Sequence, residues 1–151
     1  MKKIALLILV LIATYYQLAP SQGTPPVPAS TLARQIATAG SGDQPIATAL
    51  AQHRSNIQVE GQGTVSRILP DDLEGSRHQK FVVRLGNGQT VLLAHNIDLA
   101  PRVDNLNEGD RVAFFGEYEW NLKGGVVHWT HHDPDGQHVA GWIKHNGNIY
   151  Q

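Results

Sequence analysis

Five of the eight histidines and two of the three tryptophans of this 151-residue chain fall between His128 and His145. The densest part reads His128-Trp129-Thr130-His131-His132-Asp133-Pro134-Asp135-Gly136-Gln137-His138. Imidazole is the commonest metal ligand and the one side chain that titrates unperturbed near neutrality. On a straight strand His128, Thr130 and His132 would project to one face, and Trp129, His131 and Asp133 to the other. At that rise His128 and His132 stand roughly 13 Å apart and cannot share an ion. A divalent metal such as zinc would therefore use the strand end and a residue returning from the loop: His131, His132, Asp133 and His138. The spacing matches no zinc signature. A second reading stays open beside it. Asp133-Pro134-Asp135-Gly136 forms a turn with Asp133 capping local backbone, and the histidines form a network tying the C-terminus to the rest.

Two further groups carry chemistry. Arg77, His78 and His95 flank the Asn87-Gly88 turn at similar distances, so a hairpin brings them to one end. With Asp71, Asp72 and Glu74 nearby they are candidates for anion binding or general acid–base catalysis. The structural alternative is a charged hairpin base held by side-chain hydrogen bonds. Trp120, Trp129 and Trp142 are candidate ligand-stacking residues, since aromatics on a small barrel face stack bases or sugars. Cross-strand packing is the competing role, with Trp120 and Trp129 flanking one hairpin and Trp142 close to Tyr150. There is no phosphate-cradling glycine loop, nucleophile elbow or dinucleotide fingerprint.

The elements that must position these groups are strands. Ile57–Leu69 reads as a long strand in which Gly61 and Gly63 mark a bulge or coil, serving two parts of a sheet. Gln79–Leu85 alternates, with Phe81, Val83 and Leu85 on one side. Asn87-Gly88 supplies two positive-φ residues for a tight turn into Thr90–Ala94. Ile97–Asn107 is irregular or a short helix, Arg111–Trp120 is a long strand, and Asn121–Gly125 turns into a fifth strand over Val126–His132. Gly141–His145 and Asn148–Tyr150 flank Asn146-Gly147 as a last hairpin. Upstream, Thr31–Ala39 and Pro45–Arg54 read as short helices, the second with Ile46, Leu50 and Ala51 near one face. The fold class is all-β: a five-stranded barrel with a C-terminal hairpin and short N-terminal helical segments. This strand order, with a glycine-bent first strand and an irregular third connection, resembles the OB-fold.

The N-terminus sets the expected compartment. Lys2-Lys3 followed by the apolar run Ile4–Ala13 reads as a signal peptide or a short membrane anchor, within residues 1–20. Residues 21–45 form a Pro/Gly/Ser-rich linker with a weak helix, and 46–151 the barrel domain. With no cysteine, the domain has neither a disulfide framework nor a lipid-bearing thiol. Removing Lys2 and Lys3 takes the formal charge from −1 to −3, which disfavours nucleic acid as a partner.

Three phrases, Gly75-Ser76-Arg77-His78-Gln79-Lys80-Phe81, Ala94-His95-Asn96-Ile97-Asp98-Leu99-Ala100-Pro101-Arg102 and the run His128 to Tyr150, resemble a family of small exported bacterial proteins catalogued as a domain of unknown function. The resemblance implies export and one compact domain. The functional expectation is a periplasmic or cell-envelope binding module with an unidentified ligand, tethered to the membrane if its N-terminus is uncleaved. A metal-assisted hydrolase using the histidine-rich segment, with phosphodiesters as a candidate substrate class, is the alternative. Cell fractionation is expected to recover the protein outside the cytoplasm, and its intact mass to separate cleavage from anchoring. Full-length protein in the cytosolic fraction would refute export.

Overall fold

The computed structural model describes residues 43–151. The leader assigned to residues 1–20, nearly all of the linker, and the helix expected over Thr31–Ala39 lie outside them. Helix α1 (Asp43–Ala51) is followed by strands β1 (Ile57–Ile68), β2 (His78–Leu85), β3 (Thr90–Asn96), β4 (Arg111–Glu119), β5 (Val126–His128), β6 (Trp142–His145) and β7 (Asn148–Tyr150). The sheet runs β1-β2-β3-β5-β4-β6-β7, and an antiparallel β1–β4 pairing closes the first five strands into a barrel. β3 and β5 pair in parallel, and the β6–β7 hairpin adds to β4. This is the expected all-β, OB-like barrel with its C-terminal hairpin.

Alternation builds the barrel because successive strand residues face opposite ways. Phe81, Val83 and Leu85 of β2 point inward with Val91 and Leu93 of β3, Phe114 and Tyr118 of β4, and Val127 of β5. β1 serves both neighbours, pairing with β4 over Ile57–Thr64 and with β2 from Gly63 onward. Its register shift falls between Val65 and Arg67, beyond the glycines expected to make it. The glycines instead permit close approach. A methyl on Gly61 would meet the Phe114 ring, and one on Gly63 would enter the Arg84 backbone carbonyl.

Two local expectations need correction. In the β2–β3 turn only Gly88 takes positive φ, at 86°. The Gly88 amide donates to the Leu85 carbonyl and the Leu85 amide to Gln89, giving a three-residue turn ending on a left-handed glycine. Two consecutive positive-φ residues occur at Asn146 (48°) and Gly147 (81°), in the β6–β7 turn. Helix α1 buries Asp43, Ile46 and Ala49, so its inner face omits Ala51. Ile97–Asn107 takes the irregular of its two expected forms, built of turns.

The fifth strand is the most consequential difference. β5 ends at His128, because Trp129 adopts φ 51° and leaves the ladder. A bulky residue in the left-handed region is uncommon and redirects the chain. Thr130 and His131 are consequently both buried, while His132 is exposed.

Gly63→Ala should lower stability by about 2 kcal/mol, the scale of forced overpacking, because the clash is with backbone that cannot rotate away. Urea unfolding of the two proteins would measure this. A change below about 0.5 kcal/mol, the range of a neutral surface substitution, would show that the strands can separate without penalty.

Candidate functional site

On the outside of the barrel, β4 and β5 face each other in an antiparallel pair with Glu117 opposite His128 and Glu119 opposite Val126. The inward residue between the two glutamates is Tyr118, so Glu117 and Glu119 both project outward. One side-chain ligand atom from each of Glu117, Glu119 and His128 lies within 4.8 Å of the others. His128 Nε2 stands 4.0 Å from Glu117 Oε1, too far for a hydrogen bond, and is buried without a partner. Burial lowers the His128 pKa, against the opposing pull of Glu117 and Glu119. Burial thus favours the neutral ring.

A fourth group arrives from the loop between β5 and β6. Asp133 is buried and accepts backbone amides from Asp135 (3.1 Å), Gln137 (2.6 Å) and His138 (2.7 Å). These bonds, led by that from His138, hold its carboxyl below the usual range. They also fix the backbone of His138, whose ring stacks on Trp129 at 3.7 Å between centroids and 12° between planes. His138 Nδ1 then lies 3.6 Å from Glu117 Oε2. The left-handed Trp129 and the Asp133 clamp together return this histidine to the β4 surface.

A cleft of about 210 Å³ adjoins this group. Asp72, His78 and Lys80 line it from the β2 side, Glu119 and His128 from the β4–β5 side, with Ala94 and Val126 between them. Lys80 Nζ lies 3.5 Å from Asp72 Oδ2. A reciprocal backbone pair, Asp72 N to His78 O and the reverse at 2.9 Å, pins the β1–β2 loop at its rim.

The sequence-derived candidates are dispersed differently. Of His131, His132, Asp133 and His138, only His138 reaches the outer group. His131 Nδ1 donates to the His132 carbonyl at 2.8 Å, His132 faces solvent, and Asp133 is occupied by the loop backbone. His78 and His95 do come to the same end of the β2–β3 hairpin, where His78 pairs with Asn96 and Gln79 with His95. They occupy opposite faces, His78 at the cleft and His95 fully buried. Exposed Arg77 pairs with Asp98 at 2.6 Å.

The tryptophans also separate. Trp120 lies tilted against His53, Trp129 stacks on His138, and Trp142 stacks on Phe115 directly across the β4–β6 pair. Glu117 and Glu119 escaped the sequence reading although a signal existed. The alternation Glu117-Tyr118-Glu119 around an inward tyrosine turns both glutamates outward, and the six-residue connection Trp120–Gly125 puts Glu117 opposite His128.

His95 has an interior role. Its Nε2 meets the Pro101 carbonyl at 3.1 Å, and its Nδ1 meets Thr130 Oγ1 at 2.9 Å. A carbonyl only accepts, so Nε2 carries the proton and Nδ1 accepts from the Thr130 hydroxyl. Beside it, the Gln79 amide makes two bonds with the Val103 backbone, at 2.8 and 3.2 Å. These bonds tie the β3–β4 connection and the start of the β5–β6 loop to the barrel.

The chain belongs to the family described as protein of unknown function (DUF3465), whose model matches residues 29–151. Comparison with curated proteins finds no match.

Burial lowers the His95 pKa to about 4. The unfolded chain, with an ordinary histidine, therefore binds more protons between about pH 6.5 and pH 4. Stability is full above that window and falls as pH drops through it, by an amount on the order of 3 kcal/mol in the limit. Melting curves from pH 7 to pH 4 should show this loss, and His95→Gln should flatten it. An unchanged pH slope in the variant would show that other groups set it.

Proposed function

We propose that this chain is an exported binding module of the cell envelope and that its ligand seats in the cleft on the outer face of the barrel. The observation that carries this reading is the cleft's lining. Charges of both signs and two imidazoles, from β2 on one side and β4–β5 on the other, border a strip formed by Ala94 and Val126. A few polar groups around an apolar floor on a rigid scaffold are what orient a bound ligand. The cleft is smaller than the roughly 300–1,000 Å³ of pockets that enclose drug-sized ligands. It suits one group of a larger envelope molecule, such as a charged side chain of a peptide or a single sugar ring. The basic pair Lys2-Lys3 and the apolar run Ile4–Ala13 support export, and the net acidic charge beyond them argues against nucleic acid.

A metal-assisted hydrolase is the second reading, favoured by the Glu117–Glu119–His128 group. It differs in requiring turnover and an activated water, for which the described residues offer carboxylates and imidazoles but no assembled nucleophile–base pair.

The test uses a panel of amino acids, amino sugars and short peptides, titrated into the isotopically labelled chain and followed by NMR. Shifts should cluster at Lys80, Ala94, Val126 and His128. Ala94→Phe fills the cleft from an outward-facing position, so it should abolish those shifts while leaving the melting temperature nearly unchanged. Shifts scattered away from the cleft, or preserved in Ala94→Phe, would remove the reading.

A further inference from the structure

We propose that Glu117, Glu119 and His128 form a binding site for a divalent metal ion of the zinc class, with His138 supplied by the β5–β6 loop as its fourth ligand. The site borders the cleft through Glu119 and His128, and rests on the reading of that outer face as the functional one.

The first argument is geometric. Nitrogen and oxygen ligands sit about 2.0–2.1 Å from zinc, so a tetrahedral pair stands about 3.3 Å apart. His138 Nδ1 and Glu117 Oε2 are at 3.6 Å, and His128 Nε2 and Glu117 Oε1 at 4.0 Å. Such separations are long for direct hydrogen bonds but close to those of ligands around one ion. The whole Glu117–Glu119–His128 group fits within 4.8 Å, so modest side-chain rotations bring it to coordination distance.

The second argument is the state of the donors. His128 Nε2 is shielded from water yet has no hydrogen-bond partner. A buried nitrogen without a partner is costly, and a metal bond removes that cost. The neighbouring glutamates place two formal negative charges side by side on β4, and the imidazoles of His128 and His138 lie within 4.0 Å of Glu117. A dication would neutralise both carboxylates. Asn56 completes the surroundings: with its amide turned to donate, it reaches Glu119 Oε1 at 2.8 Å and Glu117 Oε1 at 3.3 Å. It can thus hold the two carboxylates together beside the ion.

The third argument is presentation. Metal ligands are effective when neighbouring groups fix their orientation. His138 has its amide bound by Asp133 and its ring stacked on Trp129, while Gln58 Nε2 lies 3.5 Å from Glu117 Oε2. The mixture of imidazole and carboxylate without thiolate favours zinc, cobalt or nickel over calcium or magnesium, which prefer all-oxygen sites.

The experiment titrates zinc chloride into the full chain at pH 7.5 by calorimetry, with cobalt(II) absorption as a second readout and calcium as the control. One zinc per chain should bind, unaffected by millimolar calcium. Glu119→Gln and His128→Gln should each weaken binding by about tenfold or more, and His138→Ala should alter the cobalt spectrum. His131→Ala and His132→Ala should leave both readouts unchanged. Metal-free melting curves check that each variant folds. If His128→Gln does not fold, cobalt-induced NMR broadening in the wild-type chain replaces it, expected at the His128 and His138 rings. Absence of zinc binding, binding that survives both Glu119→Gln and His128→Gln, or broadening centred on His132 would overturn the assignment. If zinc fails to bind while the organic panel still shifts Ala94 and Val126, the metal site falls and the binding-module reading stands. Zinc binding with no organic ligand in the cleft gives the reverse.

Discussion

The second edge of β4 is shared. Along one edge β4 pairs with β1 and closes the barrel. Along the other, Glu117–Glu119 pair with β5 and Val112–Phe115 with β6, leaving Gly116 at the junction. Two strands that share one edge cannot be joined by a tight turn, so residues 129–141 must leave the sheet and return. The return is close. The Gly141 amide donates to the His131 carbonyl at 2.9 Å, and a methyl on Gly141 would strike the carbonyls of Trp129 and Phe115. This constraint shapes the outer face, because the excursion passes back over Glu117 and leaves His138 there.

A barrel of this size without disulfides has limited core to spend on fixing its loops. Here buried polar side chains do that work in pairs. Gln79 matches both polar groups of the Val103 backbone, and His95 uses both ring nitrogens on separate segments. A satisfied buried network specifies one arrangement, whereas removing one member exposes the desolvation cost of the other. Stability therefore couples to pH through His95, and loop position couples to the same residue through Thr130. The β5–β6 loop is held from inside by this bond and within itself by Asp133.

Most of the barrel was legible because period-two alternation runs through β2, β3 and β4, even where long connections separate them. β2 and β3, joined through Gly88, follow their hydrophobic pattern residue by residue. Turn chemistry was less legible: Asn87-Gly88 and Asn146-Gly147 are the same dipeptide, yet only the second puts both residues at positive φ. Loop length around the turn decided the difference, since Gly86 extends the first to three residues. The end of β5 was not legible. Trp129 is a good strand former by type, and tertiary packing against His138 accompanies its left-handed conformation. That one residue turns Thr130 inward beside His131, so the expected facing fails at Thr130, although His132 stays exposed and His131 and Asp133 stay buried.

The departure of the chain from the ladder at Trp129 lets one histidine-rich segment support two kinds of chemistry. Thr130 is drawn inward and commits its hydroxyl to His95, while Asp133 spends both oxygens on loop amides. His145 is buried on β6 with Nε2 bound to Asp110 at 3.0 Å. Such groups are engaged in holding the loop and the last hairpin to the barrel, and a carboxylate saturated with amides is a poor ligand. His128 and His138 differ because they stand on the outside, beside carboxylates at 3.6–4.0 Å, without a neutral partner that would consume their lone pairs. Clustering of histidines along the sequence thus says little about where they act. The side of the barrel on which each ring emerges decides it, and the strand register of β4 against β5 sets that side for His128 as the Asp133 clamp does for His138.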